Sequence, residues 1–275
     1  MQVEGFETLK VSVEQEGRCV VLEFDHGKAN EMGSEQLREI EQLVHQLTVD
    51  RAAVALVSFS RRRSRRGTPI FVAGANVTER AGWSDHAVKQ HVRWQRRVLA
   101  SLRKAPVFHV AVVDGVALGW GSEFLLTADY RVATPSAVFG LPETGLGILP
   151  GAGGTSDLWA HVGVAQALRL GMTGERIDCA EAVRIGLVQE GVADLEAGLT
   201  RARALAEHVG RCSPTAIGAF KRAVLESVGR APAERTAAEA AAYEHCVDTG
   251  EAAIGRAGFS DVRAGRRPDW GPKQT

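Results

Sequence analysis

Four glycine-rich turns, each set where an apolar run ends and a helix-like run begins, constrain this chain more than any other feature. The first is Phe71-Val-Ala-Gly-Ala-Asn76, and the second is Gly115-Val-Ala-Leu-Gly-Trp-Gly-Ser-Glu123. Phe139-Gly-Leu-Pro-Glu143 is the third, and Gly147-Ile-Leu-Pro-Gly-Ala-Gly-Gly-Thr155 is the fourth. Glycine at a strand-to-helix turn opens backbone conformations closed to other residues and leaves N–H groups at the positive end of a helix dipole. Such a turn can hold an anion, either a phosphate or an oxyanion that develops during a reaction. A tight structural turn leaves the same signature, so no single turn decides the matter. Neither of the first two reads GxGxxG or GxxxxGK followed by Ser or Thr, which argues against nucleotide binding of the Rossmann or P-loop kind.

The segments between the turns alternate in period. Residues 9–13 and Cys19–Phe24 read as strands joined by a turn at Glu16-Gly17, and residues 34–47 carry apolar positions at helical spacing with Ser34 as N-cap. Residues 52–59 and 70–73 read as strands, 85–102 as a helix, and 107–113 as a buried strand. A short helix at 122–128 and strands at 130–132 and 138–139 follow. Beyond the fourth turn the pattern is helical at 155–172, 179–186, 196–209, 214–229 and 232–249. This alternation predicts an α/β core over residues 1–195 and an all-helical region over 196–275. The alanines at 237–242 suit close helix packing between subunits, or reflect helix propensity alone.

Charge and cysteine usage narrow the partners. Lys plus Arg and Asp plus Glu both number 33, so no global field draws the chain to nucleic acid or membrane. The one strongly basic stretch is 61–66, with Arg61, Arg62, Arg63, Arg65 and Arg66. Cys19, Cys179, Cys212 and Cys246 are scattered, which suits a reducing compartment better than disulfides or zinc. Residues 1–10 lack the apolar core of a secretory signal, and the longest apolar stretch, 107–120, is too short and too polar to span a bilayer. A cytoplasmic protein is expected. His26, His109 and His161 have no partners at metal-ligand spacing and read as packing residues, so no metal is expected. Asp129 and Arg131 read as strand-end structure, and Lys221 and Arg222 as a solvated helix face.

Glu123 and Glu143 are the carboxylates attached directly to the glycine-rich turns in an apolar setting. Two carboxylates facing one cavity can divide acid and base roles, because burial and mutual repulsion separate their pKa values. Taken singly, each reads more readily as a helix-terminus or salt-bridge residue than as a catalytic one.

Taken together, the four turns resemble the enoyl-CoA hydratase/isomerase (crotonase) superfamily in order and spacing, and the resemblance covers nearly the whole chain. It implies a spiral of ββα turns with a C-terminal helical region that packs as a homotrimer, often as a dimer of trimers. It further implies that the backbone N–H groups of Ala75 and Trp120 form an oxyanion hole for a thioester carbonyl. Glu123 would orient and deprotonate water at Cβ, while Glu143 would exchange the proton at Cα. Ala73, Gly74, Asn76 and Gly119 belong to the same turns. Lys28 and Ala29 match an early loop beside the CoA nucleotide, and Trp270 and Lys273 match a pair that reaches a neighbouring subunit's CoA. Coenzyme A enters as part of the substrate, with no separate cofactor.

Retention of both glutamates points to an enoyl-CoA hydratase of lipid metabolism, adding water reversibly across the 2,3 double bond of an acyl-CoA. An isomerase or another crotonase-type reaction on a CoA thioester is the alternative, followed by a non-catalytic acyl-CoA-binding or RNA-binding member. Three departures from the family pattern bear on this. Asn76 replaces Asp, at little cost to an N-cap. Trp120 replaces Gly, and its indole must enter either the core behind the turn or the acyl pocket. The basic stretch 61–66 is longer than the family turn and is expected near the mouth of the CoA site.

Overall fold

The computed structural model describes residues 5–274, so the first four residues of the polar N-terminal stretch lie outside the described ones. β1 (Leu9–Glu14) and β2 (Cys19–Phe24) pair antiparallel, and β2 continues in parallel to β3 (Ala55–Ser60), β5 (Phe108–Val113), β7 (Tyr130–Ala133) and β10 (Glu190–Gly191). The parallel strands β2, β3 and β5 are mostly apolar because both of their faces are covered. On one face Val20, Leu22, Phe24 and Leu56 join a core with Leu37, Ile40, Leu43 and Leu47 of α1 (Ser34–Val49) and Val98, Leu99 and Leu102 of α2 (Asp85–Lys104). On the other face Cys19, Val21, Val57, Val110 and Val112 meet Leu199, Ala202 and Ala206 of α6 (Leu195–Gly210). A residue larger than Gly198 would collide with Val112, 2.5 Å from where its Cβ would stand. The first helix of the C-terminal region thus forms one wall of the α/β core.

A second sheet runs β4 (Ile70–Val72), β6 (Val116–Leu118), β8 (Val138–Gly140) and β9 (Ile177–Asp178). β4, β6 and β8 are mutually parallel, so their carboxyl ends emerge side by side. Each of the first three glycine-rich turns spans one of these ends. The short helix α3 (Trp120–Leu125) follows β6, and α4 (Gly154–Thr173) follows the fourth turn. The helices α5 (Cys179–Arg184), α7 (Pro214–Ser227), α8 (Pro232–Asp248), α9 (Glu251–Ala257) and α10 (Phe259–Arg263) complete the chain.

Several local expectations are corrected. Gly33, not Ser34, is the N-cap of α1, and Gln36 Oε1 accepts its N–H at 3.0 Å. The short strands β6, β9 and β10 and the helices α9 and α10 were not separable from turns by periodicity. Lys221 is no solvated residue: its Nζ is buried and donates to Asp129 Oδ2 at 2.7 Å and to Val107 O at 2.9 Å. His109 is a packing residue as expected, fully buried and bonded through Nε2 to Ser58 Oγ. Arg131, on β7, donates to the carbonyls of Leu125 and Ala128, at and just after the end of the preceding short helix α3, and of Leu187. Among the described residues no helix is long and apolar enough to cross a membrane.

Candidate active site

The parallel ends of β4, β6 and β8 bring three turns together. Gly121 lets α3 approach β4 so closely that an added Cβ would lie 2.2 Å from Val72 O. Gly74 faces the Leu118 carbonyl, 3.6 Å from where its Cβ would be. The turn after β4 is fixed from the other side by residues 29–32: Ala73 N donates to Ala29 O at 3.0 Å, Met32 N to Gly74 O at 2.9 Å, and Asn76 N to Met32 O at 2.8 Å. Those bonds bracket Ala75, whose own N–H meets no acceptor among the described residues. Asn76 Oδ1 accepts from Glu79 N at 3.1 Å, the capping role expected of it.

Gly119 takes the left-handed backbone, with φ of 51°, that turns the chain from β6 into α3. Trp120 is the first residue of α3, where a helix N–H has no partner within the helix, and it meets none elsewhere among the described residues. Its φ is not positive, and the positive φ that would strain a tryptophan belongs to Gly119, which tolerates it. The indole is 2% exposed and stacks on Phe124 with centroids 5.6 Å apart. Of the two places open to this side chain, it occupies the core behind the turn.

Glu123, 3% exposed, projects from α3. Its Oε1 accepts the N–H of Ala152 at 2.7 Å and of Gly154 at 2.9 Å, so the fourth turn holds the carboxylate from behind. Burial nevertheless raises its pKa, with those two bonds opposing the shift. Glu143 lies in the 3₁₀ turn at Pro142–Leu146 that follows β8. Its Oε1 would stand 2.7 Å from a Cβ on Gly119, and its Oε2 is buried without a partner. Burial first, and then the charge of Glu123, push the Glu143 pKa up to about 7. The pair is therefore poised to hold one proton between two carboxylates near neutral pH.

The chain matches the enoyl-CoA hydratase/isomerase family model over residues 14–272. The chain belongs to the enoyl-CoA hydratase/isomerase family. It is 36% identical over 240 residues to the enoyl-CoA hydratase domain-containing protein 2, mitochondrial, of Bos taurus, covering 86% of this chain and 79% of the relative. It is 31% identical to the short-chain-enoyl-CoA hydratase of Clostridium acetobutylicum, over 87% and 90% of the two chains. The crystal structure of an enoyl-CoA hydratase from Bacillus anthracis superimposes with a TM-score of 0.86 at 28% identity, covering 96% of this chain and 99% of that one. The α/β architecture is that of the crotonase fold.

Other residues expected from the crotonase resemblance divide into two groups. Lys28 is exposed on the loop that carries Ala29, and the Ala29–Ala73 bond sets that loop against the turn of the second sheet. Trp270 and Lys273, expected at a neighbouring subunit's CoA, are instead committed to their own chain. Lys273 is 2% exposed and its Nζ donates to Leu47 O at 3.1 Å and Ala53 O at 3.0 Å, with burial lowering its pKa to about 8. Trp270 Nε1 donates to Arg211 O at 2.8 Å, and its ring packs on Gly255. A lysine sealed under two carbonyls cannot reach outward for a phosphate.

The basic stretch is likewise partly spent. Arg61 pairs with Glu196, Arg62 with Asp25 at 2.9 Å, and Arg63 with Asp114 at 3.9 Å, while Arg65 and Arg66 face solvent. The stretch enters β4 at Ile70, the end opposite the turn at Ala75. No three His, Cys, Asp or Glu side chains are grouped as metal ligands among the described residues. Three polar residues that sequence reading missed, Arg80, His91 and Gln95, each have a buried side-chain nitrogen without a partner among the described residues. Only the position of Arg80, four residues past the first glycine-rich turn, could have signalled one of them.

Proposed function

We propose that the protein is an enoyl-CoA hydratase, and the observation that carries this is the pairing of Glu123 and Glu143 at adjoining strand ends. The thioester oxygen of a 2-enoyl-CoA accepts the N–H groups of Ala75 and Trp120, which draws electrons out of the double bond. Glu123, anchored through Oε1, uses Oε2 to orient a water and takes its proton as the water oxygen bonds to Cβ. The electron pair moves onto the thioester oxygen as an enolate. Glu143, protonated below a pKa of about 7, delivers a proton to Cα and restores the carbonyl. The reverse sequence removes water. Coenzyme A is part of the substrate, bound beside Lys28 and Ala29, and lipid metabolism is the setting this chemistry suits.

The active assembly we infer is a homotrimer, alone or paired. α8 buries none of its residues in its own chain, and Tyr243 on α8 and Phe220 on α7 are 72% and 73% exposed. A hollow of about 620 Å³ between them is lined by Ala216, Ala223 and Cys246 as well. Apolar faces of this kind are covered in stable assemblies.

The test is incubation of the protein with crotonyl-CoA in ¹⁸O-labelled water. Loss of the enoyl-thioester absorbance with label at Cβ of the product supports the reading. Migration of the double bond without label would make the protein an isomerase instead. No reaction across a panel of chain lengths, with tight CoA-ester binding, would leave a non-catalytic acyl-CoA binder.

A further inference from the structure

Three buried polar nitrogens, on Arg80, His91 and Gln95, have no partner among the described residues. The Nη2 of Arg80 is buried and meets no acceptor among the described residues. Burial lowers its pKa, and the charges of Glu79 and Glu123 act on it from a distance. Neither carboxylate makes an ion pair with it among the described residues. Glu79 accepts the Ser34 N–H through both oxygens at 2.9 and 3.2 Å, and Glu123 Oε1 is taken by Ala152 and Gly154.

Two further side chains share this condition. His91 is 7% exposed and Gln95 3%, and the Nε2 of each is buried without a partner. They lie one turn apart on the buried face of α2. The His91 ring is held edge-on by Trp83 and Trp94 at 5.2 and 5.7 Å, so it cannot swing out to find solvent. Trp83, whose ring meets His91, donates its backbone N–H to Arg80 O at 3.1 Å, so the turn that carries Arg80 packs against His91. The same helix abuts the loop that holds Glu123: Arg96 Nε donates to Gly151 O at 2.9 Å, and the next peptide N–H is the one on Glu123.

A wholly apolar acyl chain would leave all three donors unpaired and bury the guanidinium further, which is costly. A carboxylate would satisfy them together. It matches the guanidinium fork bidentately and keeps lone pairs for His91, as its Nε2–H tautomer, and for Gln95. We propose that the preferred acyl group carries a carboxylate at the end away from the thioester, received by Arg80, His91 and Gln95. This rests on the reading of the site as one for enoyl-CoA esters.

Binding of unreactive saturated esters separates the two ideas. Calorimetry on the full chain should find glutaryl-CoA at least roughly 10-fold tighter than pentanoyl-CoA, which has the same chain length without the charge. In Arg80→Gln that ratio should fall to near one, and in Arg80→Lys, which keeps charge but not the fork, it should be intermediate. Equal affinities in the wild type overturn the proposal, and so does a ratio that survives Arg80→Gln in a variant folded by circular dichroism. Hydration of glutaconyl-CoA and crotonyl-CoA is read separately. If neither is hydrated while the glutaryl preference holds, the hydratase reading falls and the anion pocket stands.

Discussion

A methyl group on Gly119 would sit 2.7 Å from Oε1 of Glu143 and 3.5 Å from its Cδ, so the Glu143 carboxylate lies directly against the peptide that leads into Trp120. The bare backbone at this point serves two ends: it supplies the left-handed turn, and it leaves room for the acid. Gly119→Ala should therefore displace Glu143 and strain the turn together. Turnover of the enoyl-CoA should drop about 100-fold, on the scale of losing one acid–base group, with unfolding stability lower by about 1–2 kcal/mol. Steady-state kinetics and urea melts check both, and undiminished turnover would mean that Glu143 works from another position.

Glu123→Gln keeps an oxygen that can accept from Ala152 and Gly154, so the fourth turn should hold its shape. The variant loses the base, and hydration should fall about 10²–10⁴-fold with the melting temperature little changed. Glu143→Gln should lose a similar factor through the missing proton donor. Retention of full activity by either variant on the true substrate would reduce that glutamate to a structural role.

The proton on Glu143 also sets a pH dependence with a definite sign. The folded protein holds it up to about 7, whereas the ordinary value is 4.5. Stability from this group is complete below 4.5 and is lost as pH rises through 7, because the unfolded chain releases the proton first. Hydration, which uses the protonated form, should decline above about 7. Both limbs should vanish in Glu143→Gln, as read by denaturant melts and by kcat across pH 4 to 9. A hydration profile flat through this range in the wild type would contradict the assignment.

Trp120 tests the separation of backbone and side chain. The indole sits in the core against Phe124, and the N–H proposed for the thioester belongs to the main chain. Trp120→Ala should cost about 3–5 kcal/mol of stability by leaving a cavity. The acyl-chain range of whatever fraction stays folded should be unchanged. A broadened range with no loss in urea stability would return the indole to the acyl pocket.

Much of this site was legible in the sequence because its geometry is written locally. Gly119, Gly74 and the glutamates sit at strand ends, and strands of apolar residues with glycine after them announce where those ends are. The parallel register of β4, β6 and β8 then does the assembly. What stayed hidden depends on partners far away in the chain. Lys221 read as solvent-facing because charge alone suggests exposure, and Lys273 as reaching a neighbouring subunit's CoA, yet each is sealed by main-chain oxygens on distant segments. His91 and Gln95 lie on ordinary amphipathic positions of α2, and only burial without partners distinguishes them. The strand β6 is three residues long, too short for period two to show.

The anchoring of Lys273 bears on how the chain is made. Its amine closes over carbonyls at Leu47 and Ala53, 226 and 220 positions earlier, and its own N–H bonds to Arg51 O. The end of α1 and the approach to β3 therefore emerge from the ribosome well before the residue that seals them. Until residue 273 is synthesised, those carbonyls must be satisfied by water. A nascent chain can assemble its parallel sheet early, but this seam stays open until residue 273 has been made.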